Sequence, residues 1–491
     1  MSNKIIQFQR DIDKKIIESL KKDNYTFDNP LIIIDPYKIN PLSAYVCFKT
    51  DKQTKINTYI IGKNEKNSIH QTFPLNQIHI LPIFGLYADH NNKVIIEIYQ
   101  GRRKIINIPI DHIPYIDSLV IESKIEHHTL KNQFLMFSSP VTWFDYSLPF
   151  AIDDSGEVRW IIQKPFNFCI KQLNNGHFLA STGKVIKQPY FTDGLYEFDW
   201  MGKIYSYYNV PNLFHHDFFE LINGNLIVLT NSNIEDSLED SLIEIDRNSK
   251  KIIKTWNYKD FINPDDCRKH GSSKKEDWFH NNSVWYDSTN DSVILSSRHT
   301  DAIFSLNYTT QEINWILSNP IGWNKDIVKK YFLKPKYSSF NYTYGQHSAR
   351  IMDNGWLCCF DNHYFGKDSP DYVPAKDSYS RAVCFKINLQ DNSVEETFSF
   401  GEKYYSDLFS SYISNITPYS PSNYLVHFGG LSFENGEVSN YSGPKGFKRG
   451  VDMESKTFEI DNGEITLYCH TRGNYYRANK MNFKVKDYSF N

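Results

Sequence analysis

No stretch of the 491-residue chain approaches the roughly 20 consecutive apolar residues that a bilayer-spanning helix needs, which speaks against a helical membrane protein. The first residues, MSNKIIQFQRDIDKKIIESLKKDN, lack the apolar core of a secretory signal, so the cytoplasm is the expected compartment. A periplasmic location is the alternative if such a signal has been removed. Charge of one sign is also missing: the net value is -3, and neither nucleic acid nor an anionic membrane is an expected partner. The seven cysteines (Cys47, Cys169, Cys267, Cys358, Cys359, Cys384, Cys469) are odd in number and scattered, with no CxxC pair. They are expected to be free, mostly buried thiols. Nothing in their spacing calls for a metal, and no cofactor is expected.

What the chain does have is aromatic side chains, 33 Tyr and 34 Phe among them, which fill pleated surfaces well and favour strands. Residues 1–28 form an extension whose Ile5, Ile12, Ile16, Ile17 and Leu20 recur at helical spacing. Residues 29–118 alternate short apolar runs (LIIID, SAYVCFKTD, INTYIIG, KVIIEIYQG) with Asn, Gly, Asp and Pro turns, and are expected to form a separate β-sandwich.

From residue 119 to 491 two phrases recur. One is a hydrophobic pair, a polar turn and a strand ending in an aromatic, marked by Trp160, Tyr207, Trp256, Trp315 and Phe398. The other places Asn-Gly between hydrophobic runs (QLNNGHFLAS, ELINGNLIVLT, RIMDNGWLCCF), a strong hairpin signal. Two hairpins in each irregular period of about 45 to 80 residues describe four-stranded blades. The expected fold is all-β: a six-bladed β-propeller behind the β-sandwich, with a β-helix or paired sandwiches as the alternative.

Histidines fall where a blade's innermost strand should begin. They are His215 and His216 in FHHDFFELINGN, His280 in DWFHNNSVW and His347 in YGQHSARIMDNG; His216 and His347 both precede the Asn of Asn-Gly by the same number of residues. Radial repetition would gather such positions at one end of the channel. Arg298, in SSRHTD, adds a planar fork of donors suited to an oxyanion. Imidazoles with a guanidinium suit a small tetrahedral anion, a sulfate or a phosphate ester, that one imidazole could attack. A three-histidine zinc site is the alternative.

The stretch EDWFHNNSVWYDSTNDSVILSSRHTDAIFSLNYTTQEINWILSNPIGW resembles the signature of bacterial arylsulfotransferases, with Ser318 standing where glycine is usual. FHHD, YGQHSA, FDNHYFG and YSRAVCFKINL are similar to further segments of that family, and DPYKINPLSA to its N-terminal β-domain, so the likeness runs over roughly residues 29–480. It implies sulfuryl transfer from a phenolic sulfate ester to a phenolic acceptor, without a nucleotide donor, by a ping-pong route through a sulfohistidine. It maps the nucleophile to His347 and the groups around the sulfuryl oxygens to His280, Asn282, Arg298 and His216, with His215 beside them. A pocket threonine of the family falls near Phe409 and Ser410. Ser410, Tyr405, Tyr475, Tyr476 and Trp143 are the candidates for the aromatic pocket. The expected partners are small phenolic donors and acceptors and a second copy in a homodimer. The loop before His347 lacks the cysteine that a disulfide-bearing relative has, which suits a reducing compartment.

Two other readings compete: an aryl-sulfate hydrolase, with water as acceptor, and a non-catalytic propeller that binds partners. No Cys or Ser followed by x-P-x-R marks a formylglycine sulfatase. The glycine-rich GPKGFKRG segment lacks the strand-to-helix setting of a phosphate-cradling loop and reads as a solvated loop.

Overall fold

The structure, a computed structural model, describes residues 2–98, 101–126, 128–139, 148–163, 166, 169–233, 237–440 and 450–483. Trp143 and most of GPKGFKRG lie outside the described residues. No helix among the described residues is long and apolar enough to cross a membrane.

The helix expected at the start runs Ser2–Lys22 and turns Ile16 and Leu20 into the core. Its polar side chains brace two regions. The Gln9 amide donates to Gly202 O (2.8 Å) and accepts from Ile204 N (2.7 Å), while Asp13 accepts from the Tyr37 hydroxyl (2.5 Å) and pairs with Lys203 (3.1 Å). Leu31–Ile34, Ser43–Ile60, Ile69–Phe84, His90–Ile98 and Arg103–Ile110 form the N-terminal unit. All five are hydrogen-bonded into one sheet, because the long strand Ser43–Ile60 pairs along its length with Ile69–Phe84 and, at its two ends, with different neighbours.

The remainder is a set of antiparallel four-strand meanders. Asn281–Asp287 to Ile313–Leu317 is one, and His347–Ile351 to Ser393–Phe400 is the next. An eight-stranded sheet holds two such meanders joined through Ile204–Glu220; taking it as two is what a six-blade reading requires. The two ends of the propeller region close the ring. Val120–Ile125 supplies the outer strand of the sheet begun by Asn415–Ser420, and Arg477–Asn482 supplies the first strand before Gln133–Ser138. The first strands of successive sheets pack against one another, the arrangement of a β-propeller around an axis.

The repeat phrases map onto this plan. Trp160, Trp256, Trp315 and Phe398 sit on last strands of their meanders, the three tryptophans buried. Each Asn-Gly turn places its glycine (Gly176, Gly224, Gly355) at positive φ, as these tight turns demand.

One expectation is corrected. Cys358 and Cys384 form a disulfide, since they are direct cross-strand partners with Cα atoms 4.1 Å apart. Cys47, Cys169, Cys267, Cys359 and Cys469 are free and buried, as expected.

Candidate active site

The first strands do not run straight into the channel. His216, His280, Ser348, Ile413 and Ser414 all have positive φ, and three of these strands shift register there: between Phe214 and Phe218, Asn281 and Ser283, and His347 and Arg350. Such bulges re-aim side chains beside functional sites, and here they bring the histidines of three consecutive meanders together. The rings of His216 and His280 are 5.1 Å apart, and the charges of His280 and Arg298 bear on His347.

His347 is buried and held by amides. Its Nδ1 lies 2.7 Å from Asn362 Oδ1 and 3.1 Å from Gly345 O. Asn362 cannot turn, because its Nδ2 donates to Ser410 O (2.7 Å) and Ile413 O (3.1 Å), so its oxygen faces the imidazole. Nδ1 therefore carries the hydrogen. Independently, the backbone N–H of Ile413 points at Nε2 (3.3 Å), and an N–H can only donate. Nε2 is thus the lone pair. Burial and the nearby Arg298 hold the ring well below the ordinary histidine pKa, so it is neutral at physiological pH.

His280 has the opposite setting. Its Nδ1 faces Glu239 Oε2 at 2.8 Å and Asp277 Oδ2 at 3.0 Å. Burial works against a charge on the ring, but these two carboxylates overcome it and push the pKa up to about 9. With Nδ1 turned to carboxylates, Nε2 of the imidazolium is left as a second donor.

His215 and His216 form a relay of orientation. His215 Nε2 faces Thr230 O (3.0 Å) and so donates, which leaves its Nδ1 to accept from His216 Nδ1 (3.0 Å). His216 then has its Nε2 unprotonated, and burial keeps it neutral. His215 stands behind it. Arg298 donates to His299 Nε2 (3.0 Å) and its guanidinium faces the Tyr364 ring. Its Nε is buried with no partner among the described residues.

The other candidates divide. Asn282 donates through Nδ2 to Gln346 O (2.7 Å), tying the segment before His347, and its own carbonyl accepts from Arg477 (3.1 Å) and Tyr476 (3.4 Å). Tyr476 also places its ring 6.3 Å from His216. Tyr475 packs into the core against Phe137 and Phe150. The Ser410 hydroxyl is consumed by Gly429 O, Tyr412 O and Ser414 Oγ, and braces the turn that aims Ile413 N–H. Phe409 stands 6.5 Å from Tyr364. Tyr405 lies on the outside, 69% exposed.

Sequence reasoning missed Asn362, Glu239, Asp277 and His299. Two carried a faint signal: Asn362 belongs to FDNHYFG, and Asp277 stands three residues before His280. Two groups among the described residues could each offer three metal ligands, His215–His216–Glu239 and Asp277–His280–His299. Neither includes His347, so the zinc alternative is not the set the sequence suggested.

The site residues fall within a match to the arylsulfotransferase (ASST) family model over residues 120–481, and residues 31–112 match the arylsulfotransferase Ig-like domain. The chain belongs to the arylsulfotransferase family. It is 24% identical to the arylsulfate sulfotransferase AssT of Escherichia coli O6:H1 (strain CFT073), covering 81% of this chain and 84% of that protein. The AssT of Lelliottia amnigena is similar to the same degree, again 24% identical over 81% and 84%. Among solved structures, the β-propeller domain of Myceliophteria thermophila Cps50 (Swd1) aligns with 74% of this chain and 86% of its own, at 11% identity and a TM-score of 0.33.

Proposed function

We propose that this arylsulfotransferase moves the sulfuryl group of an aryl sulfate to a phenolic acceptor in two steps, with His347 Nε2 as the carrier. The observation that carries this reading is the fixed tautomer of His347 beside a charged His280 and Arg298.

In the first step the Nε2 lone pair attacks sulfur, the N–S bond forms and the S–O(aryl) bond breaks with its electrons leaving on the phenolate. His280 Nε2 gives that phenolate a proton; a donor with a pKa of about 9 is matched to a phenol's value of roughly 10. In the second step the acceptor phenol returns its proton to His280, its oxygen attacks sulfur, and the S–N bond breaks to restore neutral His347. Through both, Arg298 offsets the negative charge on the sulfuryl oxygens, and the Ile413 amide, freed from Nε2 as that lone pair is used, is placed to donate to one of them.

The test is to incubate the protein with an aryl sulfate, quench and map peptides by mass spectrometry. A sulfuryl group on the His347 peptide is expected; no gain there, or a gain on another residue, overturns the route. Added phenol should accelerate release of the leaving group, and its failure to do so would mark a hydrolase instead.

A further inference from the structure

The channel holds a second concentration of positive charge, further along the first strands and away from Arg298. Arg350 lies three residues beyond His347 on the same strand, past the bulge, where the partner strand advances only from Phe360 to Cys358, about 7 Å. Its guanidinium covers the ring of Trp285 on the neighbouring first strand (5.2 Å) and reaches Ser348 Oγ at 3.4 Å. Lys171 and Arg477 stand on Asp217, at 2.6 and 3.0 Å, beside Val284 next to Trp285, and the charge of Arg477 bears on Arg350.

Asp217 is occupied by other donors and reaches Arg350 through its charge. Beyond the two cations, its oxygens accept from the backbone N–H groups of Phe218 (2.8 Å) and Val284 (3.2 Å). Three cations against one carboxylate leave two positive charges in surplus, which a bound anion would offset. The Nε of Arg477 is buried without a partner among the described residues. Arg350 and Lys171 are only half-buried, so the cluster meets solvent on one side.

We infer that Arg350, Arg477 and Lys171 form a second binding site, distinct from the catalytic one, for a small tetrahedral oxyanion such as sulfate. Arg350 presents a guanidinium fork held in place over Trp285, Arg477 adds its unpartnered Nε–H, and Lys171 adds an ammonium, all donors that such an anion accepts from. Free sulfate and the head of a sulfate monoester offer the same oxygens, and the measurement separates them.

Crystals of the unaltered protein soaked in selenate should show anomalous density beside Arg350 as well as beside Arg298; density beside Arg298 alone overturns the inference. Equilibrium dialysis with labelled inorganic sulfate should find two sites. One should weaken by about tenfold or more in Arg350→Gln with the other retained, and the reverse should hold in Arg298→Gln. A single site, lost in Arg298→Gln and untouched in Arg350→Gln, overturns it. Repeating the dialysis with an aryl sulfonate identifies the occupant: binding at the Arg350 site means that an ester head fits, and exclusion means that the site takes the free ion.

Discussion

Two walls of one channel set the same side chain to opposite charge states. The wall behind His280 is built of carboxylates, Glu239 and Asp277, while the wall behind His347 is built of an amide, backbone carbonyls and a backbone N–H. Both rings are largely buried, so burial alone would make both neutral. The difference teaches that the charge state of each ring is set here by what faces Nδ1, and the proposed acid and nucleophile roles rest on that. A carboxylate there makes a cation with a proton to give, and an amide oxygen there makes a neutral ring with a lone pair to use.

The sharpest break of this contrast removes the charged member. His280→Gln keeps a donor but cannot hold a proton for the leaving group, and turnover of a chromogenic aryl sulfate should fall by about 10²- to 10³-fold. In the unaltered protein kcat/KM should decline above pH about 9, as His280 deprotonates; in His280→Gln that decline should vanish. A decline that survives the substitution would remove His280 from the proton transfer.

Next is to give His347 the other wall. Asn362→Asp places a carboxylate on Nδ1, so the ring should bind a proton on Nε2 at higher pH. The neutral fraction that attacks sulfur would then fall on the acid side. A new acid limb should appear, costing about tenfold for each unit below the raised pKa. An unchanged pH profile would mean that Nδ1 does not control the nucleophile.

A milder change weakens the carboxylate wall by half. Glu239→Gln leaves Asp277 in place, so the alkaline decline should move down by about one unit without a loss of comparable size at neutral pH. The same shift has a stability side. His280 has its folded pKa raised above the unfolded value of roughly 6.5, so its stabilisation is fully present below that pH and is lost as pH rises through about 9. Thermal midpoints of Glu239→Gln should therefore fall less between pH 7 and 9 than those of the unaltered protein.

What was legible beforehand had a local or periodic signal. Trp160, Trp256 and Trp315 repeat because each closes a meander, and the Asn-Gly turns repeat because each hairpin needs a glycine at positive φ. The histidines at strand starts were legible for the same reason. What was not legible depends on partners brought together by the closed ring. Nothing near His280 in the chain announces Glu239, and the pairing of Cys358 with Cys384 follows from strand register. Ser410 and Tyr475 lie close to the site in sequence terms, yet their side chains are turned into the turn and the core.

Tyr405 tests the last part of that lesson, and with the smallest effect. It was a candidate for the acceptor pocket, but it sits on the far side of the wall that Ser410 braces, 69% exposed and at φ 46° and ψ −134°, a backbone region that favours glycine. If it lined the pocket, removing its ring would raise KM for phenolic acceptors. If it is a surface residue in a strained turn, Tyr405→Gly should leave kcat and KM unchanged. Strain relief of about 1 to 3 kcal/mol, less about 1 kcal/mol for the freedom glycine gains in the unfolded chain, should then raise the thermal midpoint by a degree or two. A rise in acceptor KM without a gain in stability would return Tyr405 to the channel and enlarge the site beyond the two histidine walls.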